Sequence, residues 1–140
     1  MEEWQIFCGM YSKKEIVMKE KVALIIGEKG QIRDGVKALV EAIPEISRVV
    51  CFDDVPSWSD RIIKLEPDLI IIYPSKLEEL KECCRAFFNW LERSSPFTKV
   101  LALVDKVNQR QLFLESGADA VLVRGFRGDS LIRTVRSLIL

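Results

Sequence analysis

The chain has 140 residues, the size of one domain at roughly 100 to 200 residues each. Hydrophobic residues make up 49% and charged residues 30%, which excludes disordered and collagen-like classes. Lys plus Arg and Asp plus Glu number 21 each, and a net charge of zero gives no summed attraction to nucleic acid or an anionic membrane.

Residues 1–20 come first and stand outside the pattern that follows, so the domain is expected over residues 21–140 with residues 1–20 as an N-terminal extension. Trp4, Phe7 and Tyr11, with Ile6, Met10 and Val17, suit either a helix or an added strand. The segment lacks the basic start and unbroken apolar stretch of a signal peptide, and no later run reaches the ~18 residues of a membrane span. The expected location is the cytoplasm.

Five short apolar runs then recur, at residues 22–26, 49–52, 69–72, 100–104 and 120–123. Most do not alternate with polar residues, the pattern of strands covered on both faces and therefore of a parallel sheet between helices. After the first run, Ile32, Val36, Leu39, Val40 and Ile43 recur at helical spacing and stop at Pro44, which lacks the amide proton to continue. Ser57 suits the cap of a short second helix ending before Glu66-Pro67. Leu77, Leu80, Cys84, Phe87 or Phe88, and Leu91 form the longest stripe, closed by Ser94-Ser95-Pro96. Asn108 and Asp129 are the expected caps of a fourth and a fifth helix. The fifth carries Leu131, Ile132, Val135, Leu138 and Ile139. Strands alternating with helices specify an α/β domain, a doubly wound five-stranded parallel sheet of flavodoxin-like form in three layers.

Histidine is absent, which removes Ser-His-Asp and Cys-His triads, histidine bases and His-containing zinc sites. The cysteines, Cys8, Cys51, Cys83 and Cys84, contain no C-x-x-C pair and read as reduced, buried small hydrophobes. Gly27-Glu28-Lys29-Gly30 falls short of a dinucleotide fingerprint and of a P-loop. In such a sheet ligands bind beyond the carboxyl ends of the strands, here Gly27-Glu28, Asp53-Asp54, Tyr73-Pro74, Val104-Asp105 and Arg124-Gly125. Asp53-Asp54 reads most simply as a turn that screens the sheet edge. The clustered Arg124, Arg127, Arg133 and Arg136 read as a solvated face or a protein contact.

Three stretches carry a resemblance to a known family: Arg33-Asp34-Gly35-Val36-Lys37-Ala38-Leu39, Pro67-Asp68-Leu69-Ile70-Ile71-Ile72 and Gly117-Ala118-Asp119-Ala120-Val121-Leu122-Val123. Over residues 21–140 the chain resembles the response-regulator receiver domain of two-component signalling. The resemblance implies phosphoryl transfer to an Asp ending the third strand, with Mg²⁺ held by that Asp and an acidic pair after the first. It also implies a Ser or Thr ending the fourth strand, a Lys ending the fifth, and an aromatic residue three positions before that Lys. On those positions this chain has Tyr73, Gly27-Glu28, Val104, Arg124 and Val121. One of three metal-facing carboxylates is left, as Glu28, and a hard divalent cation needs more oxygen ligands than that.

The expectation is therefore a degenerate acceptor pocket of Gly27, Glu28, Tyr73, Val104, Asp105 and Arg124, closed by Tyr73 and an ion pair of Arg124 with Glu28 or Asp105. No catalytic residue, cofactor or metal is assigned. The expected function is a non-catalytic interaction module in signalling or transcriptional regulation, with a protein partner and a second copy of itself, without direct nucleic-acid contact or membrane. As the resemblance implies, association uses the fourth helix, fifth strand and fifth helix, through Leu112, Phe113, Val121, Leu131, Val135 and Leu138. The alternatives are a flavodoxin-like domain binding a small anion through Arg124, and an atypical receiver phosphorylated at Asp105 or Asp68.

Overall fold

The computed structural model describes residues 21–53, 60–73 and 77–140. Its elements alternate: β1 (Lys21–Gly27), α1 (Gln31–Glu41), β2 (Ile46–Phe52), α2 (Asp60–Leu65), β3 (Leu69–Tyr73), α3 (Leu77–Ser94), β4 (Lys99–Val104), α4 (Val107–Ser116), β5 (Ala120–Val123) and α5 (Gly128–Ile139). All strands pair in parallel in the order β2-β1-β3-β4-β5. This is the doubly wound flavodoxin-like architecture expected from the alternating pattern.

The lack of alternation in the strands has a direct cause. Leu24, Ile26, Ile70, Ile72, Val100 and Ala102 pack on one face with Ile62 of α2, Phe87 and Phe88 of α3 and Phe113 of α4. Their neighbours Ala23, Ile25, Ile71, Leu101 and Leu103 pack on the other face with Val36 and Val40 of α1 and Leu131, Val135 and Ile139 of α5. Each strand therefore meets a dry helix layer on both sides, and both side-chain sets are apolar.

Two aspartates fix where strands begin. Asp68 Oδ2 accepts the Val22 amide at 2.9 Å, and the Asp68 amide donates to the Val22 carbonyl at 2.9 Å. Asp119, before β5, does the same to β4: its Oδ2 accepts the Val100 amide at 2.8 Å and its amide donates to the Val100 carbonyl at 2.9 Å. Both carboxylates satisfy strand-end donors that would otherwise be unpaired.

The helix starts differ from the expected caps. Asn108 lies inside α4, whose N-cap is Lys106. Gln109 Oε1 accepts the amides of Asp105 and Lys106 at 3.0 and 3.1 Å, so an amide side chain in the first turn does the work expected of Asn108. Asp129 lies in the first turn of α5 behind the N-cap Arg127. It pairs with Arg127 at 3.2 Å and Arg133 at 3.7 Å, a placement favoured by the helix dipole. α2 ends at Leu65, and Glu66 takes φ 47° before Pro67, consistent with the exclusion of helical geometry before proline. The expected Ser57 cap, the extension at residues 1–20, Asp54, Pro74, Cys8 and the side chains of Leu77, Leu80, Cys83 and Cys84 lie outside the described residues.

Candidate functional site

The carboxyl ends of β1, β3, β4 and β5 bring Gly27, Tyr73, Val104-Asp105 and Arg124 to one edge of the sheet. Gly27 and Tyr73 are direct neighbours in register. A methyl built on Gly27 would lie 3.1 Å from Tyr73 Cβ and 3.2 Å from the Tyr73 carbonyl oxygen. That spacing is why the smallest residue stands there.

Tyr73 reaches across the ends of β3 and β4, and its hydroxyl donates to Asp105 Oδ1 at 3.2 Å. Burial raises the Tyr73 phenol above its ordinary value; the negative charge of Asp105 and the hydrogen bond to it act in the same direction, and Arg124 acts against them. The phenol is thus held protonated as a donor. Arg124 follows β5, with its amide on the Val104 carbonyl at 2.7 Å. Its guanidinium is 3.9 Å from Asp105 Oδ1 and the side chain is 69% exposed, a loose pair in water and not a buried clamp. Arg124 pairs with Asp105 and not with Glu28. Glu28 is exposed and has no ion-pair partner among the described residues. Val104 is buried and presents methyl groups where a hydroxyl would be needed to hold a phosphoryl oxygen.

The fit of these residues to Mg²⁺ is poor. Among the described residues no three carboxylates or thiols gather as a metal-binding group. Asp105 already accepts the Tyr73 hydroxyl, and Gly27 and Tyr73 supply no carboxylate where the receiver resemblance implies two. A hard cation needs several oxygen ligands arranged together, so no step is derived through one.

A second cation at this edge did not stand out in the sequence. Arg33, in the first turn of α1, donates from Nη1 to the Gly27 carbonyl at 3.2 Å and to Asp53 at 2.7 Å. Its side chain is 13% exposed against 65% for Asp53. A signal existed: a basic residue in a first helical turn opposes the helix dipole, so it needs a compensating acid. Asp53 thus ties the end of β2 to α1 and β1, beyond screening the sheet edge.

The expected association face is changed by burial. Phe113, Leu131 and Val135 are at 1%, 0% and 0% exposure, inside the protein's own core, so they cannot offer contacts to a partner. The sheet covers the apolar stripe of α5 at Leu131 and Val135, and Phe113 of α4 on its other face. Leu112, Val121 and Leu138 are half-buried, and Val121 and Leu138 lean on the two core clusters. The exposed apolar residues on these elements are Val107 and Leu114 of α4 and Leu140 at the end of α5. Among the described residues no helix is long and apolar enough to cross a membrane.

No family model and no curated protein matches the chain. Solved structures do. The chemotaxis response regulator CheY4 of Vibrio cholerae aligns with a TM-score of 0.67 at 20% identity, over 86% of this chain and 99% of that one. A CheY-like protein from Pseudomonas aeruginosa aligns with a TM-score of 0.69 at 15% identity, over 85% and 99%. The isolated REC domain of RcsB from Salmonella enterica serovar Typhimurium aligns with a TM-score of 0.69 at 14% identity, over 86% and 88%. At these identities the likeness is one of fold, and the chain has the CheY-like, five-stranded receiver fold.

Proposed function

We propose that this chain is a receiver-like domain that acts in signal transduction by protein association, with its phosphoacceptor chemistry lost. The observation that carries the reading is the Tyr73 hydroxyl on Asp105 at 3.2 Å. It puts a phenol at the end of β3, where the receiver resemblance implies a nucleophilic carboxylate, and engages Asp105, a carboxylate that could replace it. A phenol kept protonated by burial and by Asp105 is a poor nucleophile toward a phosphoryl donor. Val104 and Arg124 remove the hydroxyl and the Lys that would grip the transferred group. Asp68 is spoken for at the opposite end of the sheet by the Val22 amide.

Incubation with acetyl phosphate and millimolar Mg²⁺, followed by intact-mass measurement, tests this. The expected result is an unchanged mass. A gain of one phosphoryl group, lost in Asp105→Asn, would establish an atypical receiver instead.

A further inference from the structure

The amino end of the sheet, remote from Tyr73, carries a feature that the acceptor pocket does not explain. Among the described phenylalanines Phe97 alone is exposed, at 91%. The backbone that carries it is a closed turn. The Thr98 amide donates to the Ser95 carbonyl at 3.1 Å, which places Pro96 and Phe97 at the two central positions of a β-turn, with proline where a turn favours it. Thr98, 6% exposed, donates through its hydroxyl to the Pro67 carbonyl at 2.7 Å and meets the Ser95 hydroxyl at 2.6 Å. An apolar ring is therefore presented to solvent on a tied-down turn, whose backbone has little conformational freedom left to lose on contact.

Beside it lies a cleft of about 230 Å³. Phe88, Leu91 and Val100 form its apolar wall, Pro96 and Thr98 place it directly against the turn, and Glu92 and Asp119 bring carboxylates to it. It is smaller than the roughly 300 to 1,000 Å³ of a small-molecule site, and its scale is that of one inserted side chain. Arg93 and Lys99 flank the Phe97 turn in sequence and are exposed. The side chains of Glu92, Arg93 and Lys99 have no ion-pair partner among the described residues. One patch thus bears an exposed apolar knob with unpaired cations and, next to it, a cleft of mixed lining in which Phe88, Leu91 and Val100 meet the carboxylates of Glu92 and Asp119. Such a surface is complementary to itself about a two-fold axis, the condition for an isologous contact.

We propose that two copies of this chain associate through this patch. The Phe97 ring of each sits in the other's cleft, and Arg93 and Lys99 of each face Glu92 and Asp119 of the other. The inference rests on the reading that the domain works by association, and it places the self-contact on the α3–β4 turn instead of the face formed by α4, β5 and α5.

Sedimentation of the full chain across a wide concentration range tests it. The wild type is expected to dimerise reversibly, more weakly at high salt. Phe97→Ser should raise the dissociation constant by roughly 100-fold or more, as loss of a central aromatic anchor does, with an unchanged urea midpoint at concentrations low enough that the wild type is monomeric, because the ring makes no core contact. Glu92→Lys alone should weaken the dimer, and Glu92→Lys with Lys99→Glu should restore it, a rescue that a merely structural role would not give. A wild type that stays monomeric at millimolar concentration overturns the proposal. A dimer indifferent to Phe97→Ser and to both charge variants overturns this face and leaves the association reading standing. Phosphoryl uptake in the acetyl phosphate experiment does the reverse.

Discussion

Gly27 and Gly35 should respond to the same substitution with opposite sign. A Cβ at Gly27 would lie 3.1 and 3.2 Å from Tyr73 Cβ and carbonyl oxygen, inside the roughly 3.5 to 4.0 Å of a comfortable carbon contact. Neither atom is the end of a flexible side chain, so two neighbouring strands must separate. Overpacking of this kind costs about 1 to 3 kcal/mol, offset by about 0.4 to 1 kcal/mol because alanine restricts the unfolded chain. Gly27→Ala is therefore expected to lose up to about 2.5 kcal/mol, with about 1.3 kcal/mol as the central figure. At Gly35, inside α1, a Cβ meets nothing within 4 Å, and Gly35→Ala should gain about 0.5 to 1 kcal/mol from helix propensity. Urea titrations read both as shifts of midpoint at constant slope. A neutral or stabilising Gly27→Ala would refute the steric account of why glycine stands opposite Tyr73. The contact also governs any attempt to rebuild a metal site. Gly27→Asp with Tyr73→Asp keeps a Cβ and a carbonyl at position 73, so the crowding remains, and the double variant should be less stable than Tyr73→Asp alone.

Arg33→Met should cost about 1 to 2 kcal/mol, since it leaves the Gly27 carbonyl without its charged donor, and Asp53→Asn should cost less, a difference that urea titration resolves. Asp68→Ala should cost about 1 kcal/mol by freeing the Val22 amide, and hydrogen exchange should show that amide losing protection. Tyr73 gives a pH dependence. With its folded pKa above the ordinary value near 10, its contribution is complete below pH ~9, where the phenol is protonated in both states. As pH rises further the unfolded chain ionises first, so stability falls until the folded phenol titrates too. The stability advantage of wild type over Tyr73→Phe should shrink between pH 9 and 11 on the scale set by that ordinary pKa; an advantage that stays constant or grows would contradict the raised phenol.

The strands were legible because burial on both faces writes itself into composition. β5 coincides with its apolar run, and the others are extended by a residue or two. β2 is the exception, starting at Ile46 where the run starts at residue 49. It is an edge strand with Ser47 and Arg48 exposed, and an edge needs no apolar side chain to keep its ladder with β1. Helix starts were less legible, since Gln109 and Asp129 act from inside the first turn. At the carboxyl edge, sequence placed Tyr73, Asp105 and Arg124 together because strand ends in a parallel sheet converge. It did not give Arg33 to Asp53, a contact set by how far α1 leans over β2. It also could not tell an apolar stripe that the sheet covers, as at Leu131 and Val135, from one left for a partner.

The residues that carry the receiver resemblance are mostly not those that carry receiver chemistry. Asp68 and Asp119 sit at the amino ends of β3 and β5 and each holds the first part of the neighbouring strand by two hydrogen bonds. Those bonds set strand starts and register, and they lie a full strand length from Tyr73, Asp105 and Arg124. Roughly five residues at about 3.3 Å each separate the two ends, beyond the range at which substitutions couple strongly. A substitution at position 73 or 104 therefore leaves the amino-end pins untouched. The fold tolerates different residues at the carboxyl edge, because register is fixed at the other end of the sheet. The same separation leaves the turn at Ser95 to Thr98, itself at the amino end and tied to the Pro67 carbonyl, free to carry a contact that owes nothing to phosphorylation.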